Sequence, residues 1–428
     1  MVPATDNELM CRVGPGTAMG KGIRHFWLPA LMSSELAEPG GDPVHVELMG
    51  ESFVAFRDRE GTIGLLDEHC CHRGASLTVG RVENCGIRCI YHGWLFGADG
   101  TVMETPNVTE RNSKGRFKTR AYPVREAGGM IWTYLGEPAK TPAFPDFPWA
   151  AAEEAMRLTA VTIIGCNYVQ LIEGLLDSSH LTILHSTALQ RAVPGDLNFA
   201  KATSHMKFDA SPRIEVEETD FGLRYAAIRQ VDDKAETRIT SFILPFWMIN
   251  PNGDIVVAVV PMSDEKTAFY TIWWDGQNRF GEEPLRSQSL DTIGVDPETL
   301  KKYGHTRATF GTAARATREN RWHQDRARMR EGHFSGAPVL LLEDVLVCLS
   351  AGPLRSRSRE LLTPADAAVA SLYRLFIRSA RAVAEGGVPI GAGVSVAQVR
   401  GVNRSLPLDS DWHSLLQEQP RSDAFAAD

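Results

Sequence analysis

The chain has 428 residues, more than a single hydrophobic core usually supports, so two domains are the starting expectation. With 43% hydrophobic and 23% charged residues it has an ordinary globular composition, and its net charge of −8 excludes a nucleic-acid binder of the usual basic type. The N-terminus lacks a basic segment followed by an apolar run, and no stretch of 18 apolar residues occurs, so no membrane span and a cytoplasmic location are expected.

In chain order, GPGTAMGKG from Gly14 looks briefly like a phosphate loop, but residue 22 is Gly where Ser or Thr would be needed. No dinucleotide fingerprint follows a strand. From Val44 to Leu66 the runs HVELMG, SFVAF and TIGLL, separated by Gly and Asp turns, predict a small antiparallel β-domain. GGMIWTYLGEP is a further strand, and the prolines at 138, 142, 145 and 148 then prevent regular structure. A domain boundary is expected there, giving units 1–145 and 146–401. Beyond it, RLTAVTIIGCNY predicts a strand leading into the polar helix NYVQLIEGLLDSSHLTILH. RIEVEETDFGLRYAAIRQ predicts two strands about a turn, and TRITSFILPFWMI, DIVVAVVPM and AFYTIWW continue an antiparallel sheet. A helix follows Thr363 and Pro364, with Val369, Leu372, Phe376, Ala380 and Val383 on one face. Residues 402–428 read as a loosely held tail.

Four of the seven cysteines and three histidines lie between Asp67 and Trp94. In a reducing compartment clustered thiols point to metal rather than to disulfides. The isolated Cys11, Cys166 and Cys348 are expected to be small buried hydrophobes. Each arm of the cluster, Cys70-Cys71-His72 and Cys89-Ile90-Tyr91-His92, offers one thiolate and one imidazole. A zinc ribbon is one reading. The other is a Rieske [2Fe–2S] centre, in which two Cys hold one iron and two His the other. Cys70, His72, Cys89 and His92 would be the ligands, with His69, Cys71 and Cys85 as bystanders. The C-x-H-R-G and C-x-x-H-G-W arms, with sixteen residues between His72 and Cys89, resemble the Rieske domain of ring-hydroxylating oxygenases.

A Rieske cluster alone would also suit an electron-transfer protein without oxygenase activity, so the second metal site discriminates. Asn167–His185 resembles the mononuclear-iron motif of the same family, with Asp177, His180 and His185 in the matching positions. Asp177 and His180 are expected to share a helix face. His180 and His185 would lie about 140° apart on a straight helix, so a break or π-bulge between them is expected. Non-haem Fe(II) sites add one carboxylate to two His. LLLEDVLVCLSAGP resembles the family's late carboxylate segment and assigns Asp344, with Glu343 and Asp325 as competitors.

The resemblance is closest to the phthalate-dioxygenase-like branch. It implies an α+β fold in which the antiparallel Rieske domain precedes a helix-flanked antiparallel catalytic sheet of the helix-grip kind. It also implies a [2Fe–2S] cluster and mononuclear Fe(II), a homotrimer or hexamer without a β-subunit, and electrons from a separate NAD(P)H-dependent reductase carrying flavin or ferredoxin. Asp177 would be the carboxylate linking the two metal sites across subunits. The implied reaction uses O2 to hydroxylate an aromatic acid, or to O-demethylate a methoxylated or diaryl acid. A substrate carboxylate calls for an arginine, and Arg213 and Arg238 are the candidates, with surface ion pairs as the alternative.

Overall fold

The computed structural model describes residues 2–109, 116–187 and 209–417. The chain starts with helices α1 (Ala4–Cys11) and α2 (Ala18–Ile23) and strand β1 (Trp27–Met32). The glycine-rich stretch before α2 is a helix start, where the Thr17 hydroxyl accepts the Gly20 N–H. The three alternating runs form β2 (Val44–Leu48), β3 (Glu51–Arg57) and β4 (Ile63–Asp67), an antiparallel sheet in sequence order. Then β5 (Arg81–Glu83), β6 (Gly86–Arg88), β7 (Leu95–Phe96) and β8 (Val102–Glu104) make a second meander, and β9 (Val124–Ala127) and β10 (Met130–Tyr134) return to pair with β1. Val54, Phe56, Leu66, Ile87 and Phe96 fill a small separate core between the first two sheets, which also takes in Cys70 and Cys89.

Among the described residues the catalytic sheet has eight strands: β11 (Leu158–Ile164), β12 (Arg213–Glu218), β13 (Gly222–Val231), β14 (Lys234–Ile243), β15 (Trp247–Ile249), β16 (Ile255–Ser263), β17 (Lys266–Trp273) and β18 (Val402–Pro407). Their order is β11-β17-β16-β15-β14-β13-β12, with β18 on β14. Helices α3 (Tyr168–Leu176), α4 (His180–Leu184), α5 (Leu285–Ile293), α6 (Pro297–Lys302), α7 (Arg326–Arg330), α8 (Leu340–Ser350), α9 (Ala367–Ala384) and α10 (Ser414–Gln417) flank it. A capping box of Thr363 and Asp366 introduces α9, and the five apolar residues expected on one face are all buried.

The proline-rich stretch near residue 145 contains only short 3-10 turns, but it is not slack. Phe147 and Trp149 are buried, and the rings of Trp132, Trp149 and Trp247 lie 5.4–6.0 Å apart, joining the β10 sheet to the catalytic sheet in one core.

The expected loose tail is corrected in part. Residues 402–407 pair with Lys234–Ile239 along the part of β14 that β15 leaves uncovered. Trp412 and Leu415 are buried against Ala226 and Ile239. An open strand edge with an apolar flank is costly to leave in water, which is why the segment docks. Residues 418–428 lie outside the described residues.

Candidate metal centres

The two cysteine-histidine arms are built alike. In each, the glycine four residues after the cysteine donates its N–H to the cysteine carbonyl: Gly74 to Cys70 at 2.9 Å and Gly93 to Cys89 at 3.0 Å. Each cysteine N–H in turn reaches the residue five positions on, Ala75 at 2.8 Å and Trp94 at 2.9 Å. Gly74 and Gly93 sit at φ of +73° and +76°, where a Cβ is disfavoured, which accounts for the glycine in both flanking motifs. Both cysteines are buried, and the His72 and His92 rings stand at the rim with centroids 4.6 Å apart. Trp94 stacks on His72 at 4.6 Å and is anchored through Nε1 to Asn107 at 2.8 Å.

Burial pushes the Cys70 thiol up to about 11, and the neighbouring Cys89 thiol adds to the rise. A bound metal reverses this by deprotonating its thiols. His92 Nδ1 is buried without a hydrogen-bond partner, as a ligand atom awaiting metal would be. Among the described residues only one set of three or more donor groups converges within 4.8 Å, and it lies in the other domain. The four arm residues therefore lack the tight convergence of a tetrahedral zinc site. A two-iron cluster, with sulfurs on one iron and imidazoles on the other, fits them. Cys71 and Cys85 are exposed, as is His69.

The converging set is His180, His185 and Asp344. The helix break that assembles it lies earlier than the sequence suggests. Helix α3 stops at Leu176, Asp177 is extended at φ −91° and ψ 111°, and the one-turn α4 starts at His180. Asp177 and His180 therefore do not share a helix face, and His180 and His185 bracket a single short helix. Local hydrogen bonds cause the break. Asp177 Oδ1 accepts from Ser179 N–H at 2.7 Å and from its hydroxyl at 2.6 Å, a turn that competes with helix. The buried Arg229 holds the Ser178 carbonyl at 2.8 Å.

His180 Nε2 and His185 Nε2 then face Asp344 Oδ1 at 3.5 and 3.2 Å, and His185 Nε2 is buried with no hydrogen-bond partner. Although burial alone would pull His180 down, Asp177 and Asp344 hold it up to about 10. Asp344 is kept well below the usual carboxylate range by both imidazoles, against its burial. Two imidazoles and a carboxylate are the donor set of a non-haem Fe(II) facial triad. Asp325 is elsewhere, capping α7 through the Ala327 and Arg328 N–H groups. Glu343 faces away from the convergence point.

The triad opens on a cavity of about 390 Å³ walled by Leu171, Leu184, Met248, Val257 and Phe269. Arg238, on β14, lines the same cavity with Thr240 and Asn250. Its side chain is buried and touches Asn252 Oδ1 at 3.3 Å. Burial, with Arg229 nearby, pulls its guanidinium down to about 10. Arg213 is corrected: it is exposed on β12 and paired with Glu215 outside the cavity, the surface ion pair that was the alternative. Cys11 and Cys166 are buried in the core as expected, whereas Cys348 is half-buried and lines the cavity.

Residues 26–123 match the Rieske [2Fe-2S] domain, and residues 133–426 match the family described as LigXa C-terminal domain like. The chain is 35% identical to the phthalate 4,5-dioxygenase oxygenase subunit of Pseudomonas putida, covering 96% of this chain and 94% of that one. It is 34% identical to the 3-chlorobenzoate-3,4-dioxygenase oxygenase subunit of Comamonas testosteroni, over 98% and 99% of the two. It is 29% identical to the 5,5'-dehydrodivanillate O-demethylase oxygenase subunit of a Sphingobium strain, over 98% and 89%. The chain belongs to the Rieske non-haem iron oxygenases. Dicamba monooxygenase bound to dicamba, at 17% identity, shares the fold with a TM-score of 0.57 over 85% of this chain and 98% of that one.

The oxygenase therefore carries a Rieske [2Fe–2S] cluster and a catalytic mononuclear iron, and the relatives it matches are named as oxygenase subunits. No helix among its described residues is long and apolar enough to cross a membrane. Sequence reasoning missed Arg229 and Ser335. Neither belongs to a motif: Arg229 reaches Ser178 across 51 residues of chain, and Ser335 meets Glu343 only through the way the segment before α8 is folded.

Proposed function

We propose that this oxygenase hydroxylates an aromatic acid, with the carboxylate held by Arg238 and the ring presented to a metal held by His180, His185 and Asp344. The cluster, held by Cys70, His72, Cys89 and His92, and the iron supply electron storage and O2 activation when bound. The chain supplies the rest. Leu171, Met248, Val257 and Phe269 exclude water and pack the ring. A buried guanidinium pulled down by desolvation gains from an anion beside it. Asp177 joins the two metal sites across subunits of a homotrimer or hexamer that needs no β-subunit. Electrons come from an NAD(P)H-dependent flavin or ferredoxin reductase, which together with the free cysteines supports a cytoplasmic location.

The observation that carries this reading is a buried arginine and a two-His, one-carboxylate set sharing one apolar cavity. With a surrogate reductase, aromatic carboxylates should give hydroxylated products. Arg238→Gln should raise KM for the acid roughly 10- to 100-fold, the effect of losing a charged hydrogen bond, and leave KM for its amide nearly unchanged. Turnover of neutral aromatics in preference to their acids would overturn the assignment. Formaldehyde release from a methoxylated diaryl acid would assign O-demethylation, the activity in the name of the Sphingobium relative.

A further inference from the structure

Glu343 and Asp344 are sequence neighbours on α8 with different surroundings. Consecutive helical residues point about 100° apart, so the pair can serve two sides of one imidazole. Asp344 Oδ1 faces His185 Nε2 at 3.2 Å, and Glu343 Oε2 faces His185 Nδ1 at 2.6 Å. Glu343 is only 1% exposed, and its other oxygen accepts the Ser335 hydroxyl at 2.5 Å. The Ser335 hydroxyl also accepts the Ala337 N–H at 3.1 Å, and its carbonyl accepts from the Gln324 side chain at 2.7 Å. The Asp325 N–H closes the loop on the Gly336 carbonyl at 2.9 Å. With both oxygens engaged, Glu343 is held in place behind the ring.

We infer that Glu343, steadied by Ser335, is a positioning residue that fixes the tautomer and tilt of His185 and thereby sets the metal affinity of the catalytic site. A carboxylate only accepts, so the proton of the neutral ring sits on Nδ1 and the lone pair of Nε2 is left for metal. Burying an anion is costly unless it is paired. Among the described residues the only charged partner of Glu343 is His185 itself, so a cation on the far side of that ring supplies the compensation. His180 is backed differently. Its Nδ1 stands 3.6 Å from Asp177 Oδ2, beyond a hydrogen bond, and Asp177 is a quarter exposed. One imidazole is locked and the other is loosely held.

This inference rests on the proposed triad, and one experiment separates the two. The mononuclear metal is removed by a chelator that leaves the cluster in place, and cobalt(II) is titrated by equilibrium dialysis with metal analysis. Glu343→Gln keeps the shape and loses the charge. It should bind cobalt 10- to 100-fold more weakly, the range for outer partners of metal ligands, with the cluster spectrum unchanged and the metal-free protein no less stable to urea. Ser335→Ala, which leaves the carboxylate in place, should weaken cobalt binding by at least threefold and answers the question if Glu343→Gln does not fold. Affinity within twofold of the parent in both variants overturns the positioning role. Asp344→Ala in the same assay should abolish tight binding; if it binds like the parent while Glu343→Gln does not bind at all, the triad assignment is what fails.

Discussion

Asp177 uses one carboxylate oxygen to end α3, through Ser179, and leaves the other toward His180 at 3.6 Å. The occupied oxygen explains the helix break, and the second is available to a group from outside the subunit. In the proposed assembly that group is His72 or His92 of the partner subunit. Asp177→Asn preserves the Ser179 hydrogen bonds and removes the charge, so both metals should stay bound. Turnover should fall by at least 100-fold while reduction of the cluster by the reductase stays fast. Iron content, stopped-flow reduction and product formation on this one variant check it. Near-normal turnover would restrict Asp177 to its local structural task. At this scale the ligand types were legible because each arm pairs one thiolate with one imidazole, Cys70 with His72 and Cys89 with His92. Glu343 was legible only as a rival to Asp344, because nothing in a run of two acids says which one faces the cavity.

Helix propensity described α3 well up to Leu176, but it carried the helix through Asp177 because the interruption is made by short polar side chains and by Arg229 from a strand fifty residues on. The same kind of tertiary contact turned the end of the chain into structure. Strand β18 covers Lys234–Ile239, and Trp412 buries its ring beside Ile239 and donates Nε1–H to Glu215 at 2.8 Å. Trp412→Ala should cost about 3–5 kcal/mol, as for other buried aromatic truncations. A urea midpoint lowered by that loss divided by the unfolding slope, with the cluster spectrum intact until unfolding, is the expected result. A loose tail would give no shift.

At the scale of the whole molecule, the cluster arms and the triad belong to separate cores, with Cys70 and Cys89 in the small one and His180, His185 and Asp344 beside the catalytic sheet. Electrons have to pass between the sites, and the proposed trimer makes that passage between neighbours. Cys70→Ser subunits lacking the cluster and Asp344→Ala subunits lacking the iron should each be inactive. When the two are coexpressed and mixed trimers are isolated by two tags, product formation should recover to tens of per cent of the parent. No recovery in verified mixed trimers would confine electron transfer to a single subunit.

The sequence by itself determined the family, the two cofactors and the runs that became β2–β4, β10 and β11–β17, and it singled out the arm residues. Those depend on spacing and period, which are local. Only the tertiary structure decided that the break precedes His180, that Arg238 lies in the cavity while Arg213 does not, and that residues 402–417 complete a sheet. The break sets local Asp177–Ser179 hydrogen bonds, seconded by Arg229, against helix propensity, while the other two turn on which distant segment meets which; that balance is struck only when the chain has folded.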